Sequence, residues 1–170
     1  IYTVVLFITF AIAFGIVAYL TKIRDKRTTT LKKIIEGRGA LHAVGPDALV
    51  TECVRTMSSA RIGALLVLNG EALVGIFTER DALNRVLAAG LDPRSTKVSE
   101  VMTRDPVSVP PSTTVGKAME LVTQRRFRHL PVVENGKVLA LVSSGDLTHW
   151  LVKDQIVAVR EVDDLATNSE

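Results

Sequence analysis

The stretch from residue 44 to residue 146 carries one pattern twice at a fixed offset of 65 positions, and this repeat narrows the possible folds more than any other feature. The shift brings Val44 onto Val109, Pro46 onto Pro111, Val50 onto Val115 and Arg61 onto Arg126. It also brings Leu65 onto Leu130, Val67 onto Val132 and Asp81 onto Asp146, while Thr78 falls on Ser143 and keeps its hydroxyl. Each copy reads as a short extended segment (Ala43–Val44; Ser108–Val109), a turn containing proline, and a helix. The helices are predicted from apolar residues at helical spacing: Leu49, Cys53 and Met57, then Val115, Met119 and Val122. Two strands follow in each copy, with Asn69-Gly70 and Asn135-Gly136 between them, and Asn-Gly flanked by apolar runs is a strong hairpin signal. A closing helix ends each copy, predicted over 79–89 and 144–152. One unit of about 50 residues can hardly cover its own sheet, so the two are expected to bury their apolar faces against each other. The expected fold class is therefore α/β (α+β), two pseudo-symmetric units packed sheet to sheet as one module. The expected boundaries are unit 1 over 42–90, an inter-repeat linker over 91–106 with a helical turn at 98–102, and unit 2 over 107–153. An acidic tail follows over 154–170.

Residues 1–20 contain no charge, and at about 1.5 Å per residue a helix of them would match a bilayer core of roughly 30 Å. A single apolar stripe cannot account for residues that are apolar all round. A signal peptide would show a shorter apolar core, a charged leader and a small-residue cleavage site. The basic cluster Lys22, Arg24, Lys26 and Arg27 follows at once, which by the positive-inside tendency puts everything after Leu20 in the cytoplasm. Residues 1–20 are accordingly predicted to be a transmembrane helix, single-pass in this chain. Because the chain begins with Ile, that span could be the last helix of a longer membrane protein. Residues 21–41 read as a basic linker with a short helix around 31–36, ended by Gly37 and Gly39.

The formal net charge of +3 comes from that linker, since charge across the repeat is nearly balanced. No clustered basic face marks a nucleic-acid binder, and none is expected as a partner. A single cysteine, Cys53, excludes an intrachain disulfide. His42, His129, His149 and Cys53 have no metal-ligand spacing. The run 70–75 starts like a P-loop but continues Ile76-Phe77 instead of Lys-Ser/Thr, so it reads as a hairpin. No nucleophile–base pair assembles from these residues, so neither an enzyme nor a catalytic cofactor is expected.

The chemistry-bearing positions sit where each second strand meets its closing helix. Thr78 or Ser143, followed three residues later by Asp81 or Asp146, forms a capping box, worth about 1 kcal/mol. The same junction suits a nucleotide. Helix N-termini attract phosphate, and a carboxylate can accept hydrogen bonds from both hydroxyls of a ribose. The copies differ in two places. Arg128 and His129 stand where the first copy has Gly63 and Ala64, offering cationic groups for phosphate. Ala140 replaces Gly75, and its methyl could hinder close backbone approach or be harmless.

The segments Gly75-Ile76-Phe77-Thr78-Glu79-Arg80-Asp81 and Ala140-Leu141-Val142-Ser143-Ser144-Gly145-Asp146 resemble those of a tandem pair of cystathionine-β-synthase (CBS) domains. So do Arg61–Val67, Arg128–Val133 and the linker phrase Val98-Ser99-Glu100-Val101-Met102-Thr103. The resemblance covers about 110 of the 170 residues. It implies a regulatory module with adenosyl-nucleotide clefts, in which Asp81 and Asp146 hold ribose while Thr78 and Ser143 face phosphate. It also implies that apolar residues such as Val44, Val107, Val109, Leu130 and Val142 sandwich an adenine, besides being core. The implied regulatory ligand is AMP, ADP, ATP, NAD(H), S-adenosylmethionine or cyclic di-AMP. The resemblance implies a homodimer through the CBS units and a regulated protein as partners, while a membrane contact is expected from the uncharged run 1–20 itself. Two other readings are a nucleotide-independent dimerisation module and the cytoplasmic end of a transporter or channel.

Overall fold

The computed structural model of the chain describes residues 2–153, with side chains from Phe14 onward. The expected acidic tail, 154–170, lies outside the described residues. The described chain divides into two compact units. The first contains residues up to 34, residues 112–126 and the chain from 144 on; the second contains 35–111 and 127–143.

The second unit holds both hairpins. Strand β1 (Ala43–Val44) pairs in parallel with β2 (Ala64–Asn69), and β2 pairs antiparallel with β3 (Ala72–Thr78). The repeat is visible in geometry that periodicity does not reveal. Val44 opposes Val67 in parallel, and 65 residues later Val109 bridges Val132 in parallel. The β2–β3 ladder shifts register between Val67 and Leu68. The second hairpin, β5 (His129–Glu134) with β6 (Lys137–Ser143), shifts between Val132 and Val133. Strands β3 and β6 pack on each other, so the two hairpins meet as expected.

Three details of this unit differ from expectation. In the first hairpin the register pairs Asn69 with Ala72, so the two-residue loop is Gly70-Glu71 and Asn69 ends the strand. Gly70 takes φ +61°, suiting a turn that opens on glycine, whereas Asn135 and Gly136 both take positive φ in the second hairpin. The linker is not merely a connection, because β4 (Thr103–Arg104) adds an antiparallel edge to β3 after helix α4 (Val98–Val101). The first closing helix is irregular. One α-helical turn, α3 (Glu79–Asp81), passes into a π-helical stretch, Ala82–Leu87.

Helix α2 (Val50–Ala60) buries Val50, Cys53 and Met57 at helical spacing, in a cluster with Leu65, Val67, Phe77, Val86, Val98, Val101 and Met102. It ends on Arg61 at φ +54°, where the Arg61 and Ile62 N–H groups return to the carbonyls of Ser58 and Met57. Burial lifts the Cys53 thiol to about 11, with the neighbouring Glu52 charge adding to the effect.

In the first unit, helix α1 covers Tyr2–Thr28, and a short helical piece Leu31–Ile35 follows, close to the one expected over 31–36. Helix α5 (Val115–Arg125) packs against α1 and ends on Arg126 at φ +56°, the counterpart of Arg61. Thr30 bridges Thr114, with Leu31 N–H donating to Thr113 O at 2.8 Å and Val115 N–H to Thr29 O at 2.8 Å. Residues 144–153 are helical, in agreement with the expected second closing helix. Among the described residues no helix is long and apolar enough to cross a membrane. The expected span over residues 1–20 is therefore not supported by the structure, and most of its side chains lie outside the described residues.

Candidate functional site

The first junction is built from β3 and the turn that follows it. Thr78, the last residue of β3, has the extended backbone of an N-cap, and its hydroxyl accepts from Asp81 N–H at 3.2 Å. Asp81 Oδ2 answers by accepting from Thr78 N–H at 2.9 Å and from the Thr78 hydroxyl at 2.7 Å. This is the capping box expected from the sequence. Four residues on, Arg85 brings Nε to 3.4 Å from Asp81 Oδ1, and its Nη1 donates to the Met102 carbonyl at 2.8 Å. Asp81 is thereby fixed on both sides while its side chain stays 11% exposed.

Counting donors sharpens what this junction can hold. The N–H groups of Thr78 and Asp81 are used within the box, and Glu79 N–H donates to Gly63 O at 3.1 Å. The one hydroxyl proton of Thr78 is committed to Asp81. An anion therefore finds few free donors here. A carboxylate offers about four lone-pair sites, so Asp81 Oδ1 keeps acceptor capacity for sugar hydroxyls.

His129 opens β5 and is half-buried, in register with Ser143 at the end of β6, as Ala64 is with Thr78 in the first hairpin. It reaches across to the first copy. A methyl placed on Gly63 would lie 3.2 Å from Glu79 Oε2 and 3.4 Å from His129 Cε1. Gly63, Glu79 and His129 thus form one cluster, and the small residue at 63 leaves room for the imidazole. The sequence comparison singled out Gly63 and His129 as a difference between copies, not as neighbours. It passed over Glu79, although Thr78-Glu79 against Ser143-Ser144 was a visible asymmetry. Arg128 is exposed.

The remaining expected residues are dispersed. Asp146 falls in the helix 144–153 of the first unit. Leu130 and Val142 are fully buried and face each other as register partners. Val109 is buried at its bridge to Val132, Val44 is half-buried in β1, and Val107 is 45% exposed. Gly75 has a packing explanation. A Cβ there would press into the Met102 sulfur and lie 3.0 Å from its Cγ, so glycine makes room for a core side chain. No cluster of His, Cys, Asp or Glu able to hold a metal occurs among the described residues.

Two hairpins repeated at 65 residues, the first followed by a capped strand-to-helix junction, define a tandem module. The sequence profile of the CBS domain matches residues 38–88 and 98–153, and the chain belongs to that family. The CBS domain-containing protein CBSX3 of Arabidopsis thaliana, described as mitochondrial, is 39% identical over 113 residues, covering 64% of this chain and 55% of that protein. The chain spans a fifth or less of several other plant relatives it matches. A solved structure of a protein with CBS domains from Burkholderia ambifaria MC40-6 is 35% identical, with a TM-score of 0.72, and covers 75% of this chain and 96% of its own. The hexameric CBS-CP12 protein of bloom-forming cyanobacteria is 26% identical with a TM-score of 0.65, covering 79% of this chain and 80% of its own. CBS-domain proteins are mostly regulatory and non-catalytic, and the CBS-CP12 protein is described as hexameric.

Proposed function

We propose that this CBS pair is a non-catalytic sensor that binds an adenosyl nucleotide and passes the state of binding to an attached or partner protein. The observation that carries the reading is Asp81. It is pinned by Thr78 and Arg85 at a strand end, yet retains acceptor capacity on Oδ1, which suits the paired hydroxyls of a ribose. Arg128 and His129 supply cationic character for phosphate, which the first junction's committed N–H groups do not. Ser143 and Asp146 are the corresponding pair of the second copy. The ligand candidates are AMP, ATP, NAD(H), S-adenosylmethionine and cyclic di-AMP. Such a ligand acts only through its differential affinity for two arrangements of the module.

The module is held at a membrane by residues 1–20, with the CBS pair on the cytoplasmic side. Support comes from the uncharged run followed by basic residues, and from Phe14, Ile16, Val17, Tyr19 and Leu20, each more than half exposed. The module pairs with a second copy through Leu83 and Leu87, 59% and 64% exposed on the π-helical stretch. A nucleotide-independent dimerisation module is the second reading, favoured by those leucines together with the committed donors of the first junction.

The test is the melting temperature of the full chain with each candidate nucleotide at millimolar concentration. A ligand that binds only the folded state at 100 times its Kd stabilises by about 2.7 kcal/mol. A rise with at least one nucleotide is expected. No rise with any of them refutes sensing and leaves the dimerisation module.

A further inference from the structure

Asp81 uses its two oxygens unequally. Oδ2 accepts from the Thr78 N–H at 2.9 Å and from the Thr78 hydroxyl at 2.7 Å, whereas Oδ1 has only Arg85 Nε, at 3.4 Å, among the described residues. A charge-assisted N–H···O bond closes to about 2.7–2.9 Å, so this ion pair stops short of one. Arg85 is held from elsewhere. Its Nη1 donates to the Val101 carbonyl at 3.1 Å and to the Met102 carbonyl at 2.8 Å, at the C-terminal end of α4, which uses both N–H groups of that nitrogen. Nη2 carries two more N–H groups and has no partner among the described residues. An arginine present only to neutralise Asp81 has the fork geometry to take the carboxylate in two short bonds. Arg85 spends its short bonds on backbone carbonyls instead. Acceptor capacity on Oδ1 and donor capacity on Nη2 therefore stand unspent on the two members of one ion pair. Their side chains are 11% and 47% exposed, so a small ligand group can reach the pair.

The group that suits it is a hydroxyl, which donates to Oδ1 and accepts from the guanidinium through one atom. A phosphate would meet the Asp81 charge, and an ammonium the Arg85 charge. We propose that Arg85 is a specificity-determining residue of the first junction, forming with Asp81 a mixed donor and acceptor seat for a sugar hydroxyl. The inference rests on the reading that the Asp81 junction takes the ribose of an adenosyl nucleotide. It adds a second residue to that subsite and a reason for the subsite to reject deoxyribose. The seat belongs to one copy, because the 65-residue shift that places Asp81 on Asp146 places Arg85 on Trp150, which has no guanidinium.

Calorimetry of the full chain with AMP and ATP, each beside its 2′-deoxy and 3′-deoxy forms, tests the seat. Hydrogen bonds to charged groups are the stronger ones, so at least one deoxy form should bind about tenfold more weakly than its parent nucleotide. In Arg85→Gln and in Arg85→Lys, which keeps the charge and loses the fork, that penalty should shrink to threefold or less. The penalty is a ratio between ligands of one protein, so a variant that is partly unfolded still reports it. Equal binding of all three forms by the parent chain overturns the proposal, as does a penalty that persists in both Arg85 variants. If the penalty persists in those variants and disappears in Asp81→Asn, the ribose reading stands and the role of Arg85 is lost. Absence of heat with both AMP and ATP also overturns the proposal, and NADH, S-adenosylmethionine and cyclic di-AMP then decide whether the sensing reading survives.

Discussion

Replacing Gly75 by alanine adds one methyl group and should destabilise the chain, although alanine is ordinarily the better strand residue. The new Cβ would press into the Met102 sulfur and sit 3.0 Å and 3.1 Å from its Cγ and Cε. Met102 is 7% exposed, and its backbone is held by its own N–H to Val98 O at 2.8 Å and by Arg85 on its carbonyl at 2.8 Å. The thioether must therefore give way within a packed cluster. Overpacking of this kind costs about 1–3 kcal/mol, and the flexibility of methionine keeps it from the upper end. Removing a strand glycine returns about 0.5–1 kcal/mol. The net loss is about 1 kcal/mol, which lowers Tm by roughly 2–4 °C for a chain of this size. Urea unfolding of the full chain in mild non-ionic detergent, followed by circular dichroism, measures it. Met102→Ala alone should cost about 2–5 kcal/mol by leaving a cavity. In the Gly75→Ala background it should cost at least 1 kcal/mol less, a coupling that only contact between the two positions produces. A Gly75→Ala chain as stable as the parent, or a strictly additive cycle, would refute the packing argument. It would return Gly75 to the alternative of close backbone approach to a ligand.

Other consequences are equally direct. Arg61→Gly relieves a left-handed non-glycine residue at an exposed helix end and should stabilise by about 1 kcal/mol, read from the same urea curves. Asp81→Ala removes the capping acceptor and the Arg85 partner together and should cost about 1–3 kcal/mol even without nucleotide. The Cys53 thiol, fully buried and raised to about 11, should react with a disulfide reagent at pH 8 far more slowly in the folded chain than in urea. Above pH 9 the unfolded chain releases that proton while the folded chain keeps it, so stability should fall from pH 9 toward 11, and Cys53→Ala should flatten that fall. Leu83→Glu/Leu87→Glu should convert an associated chain to monomer in sedimentation velocity, because both side chains are exposed within one π-helical stretch.

The repeat was legible because every level of structure follows it. Helix ends at Arg61 and Arg126, register shifts after Val67 and Val132, and parallel contacts at Val44 and Val109 all fall 65 residues apart. The capping box of Thr78 and Asp81 was legible too, since it depends on residues three apart in sequence. Strand β4 was not, because two residues carry no period to detect. The π-helical stretch has ordinary helical spacing, which does not reveal a widened turn. Glu79 and His129 both lie against Gly63, and spacing along one chain does not reveal which residues of two copies meet.

The central claim is that the junction holding Asp81 receives the ribose of an adenosyl nucleotide, and isothermal titration calorimetry of the full chain tests it most directly. Titration with AMP, ATP, NADH, S-adenosylmethionine and cyclic di-AMP should give saturable heat for at least one. Asp81→Asn, which keeps an acceptor for Thr78 N–H, or Asp146→Asn should weaken that binding at least tenfold while circular dichroism stays unchanged. Absence of heat for every nucleotide at millimolar concentration, or affinity untouched in the chain carrying both substitutions, would contradict the account.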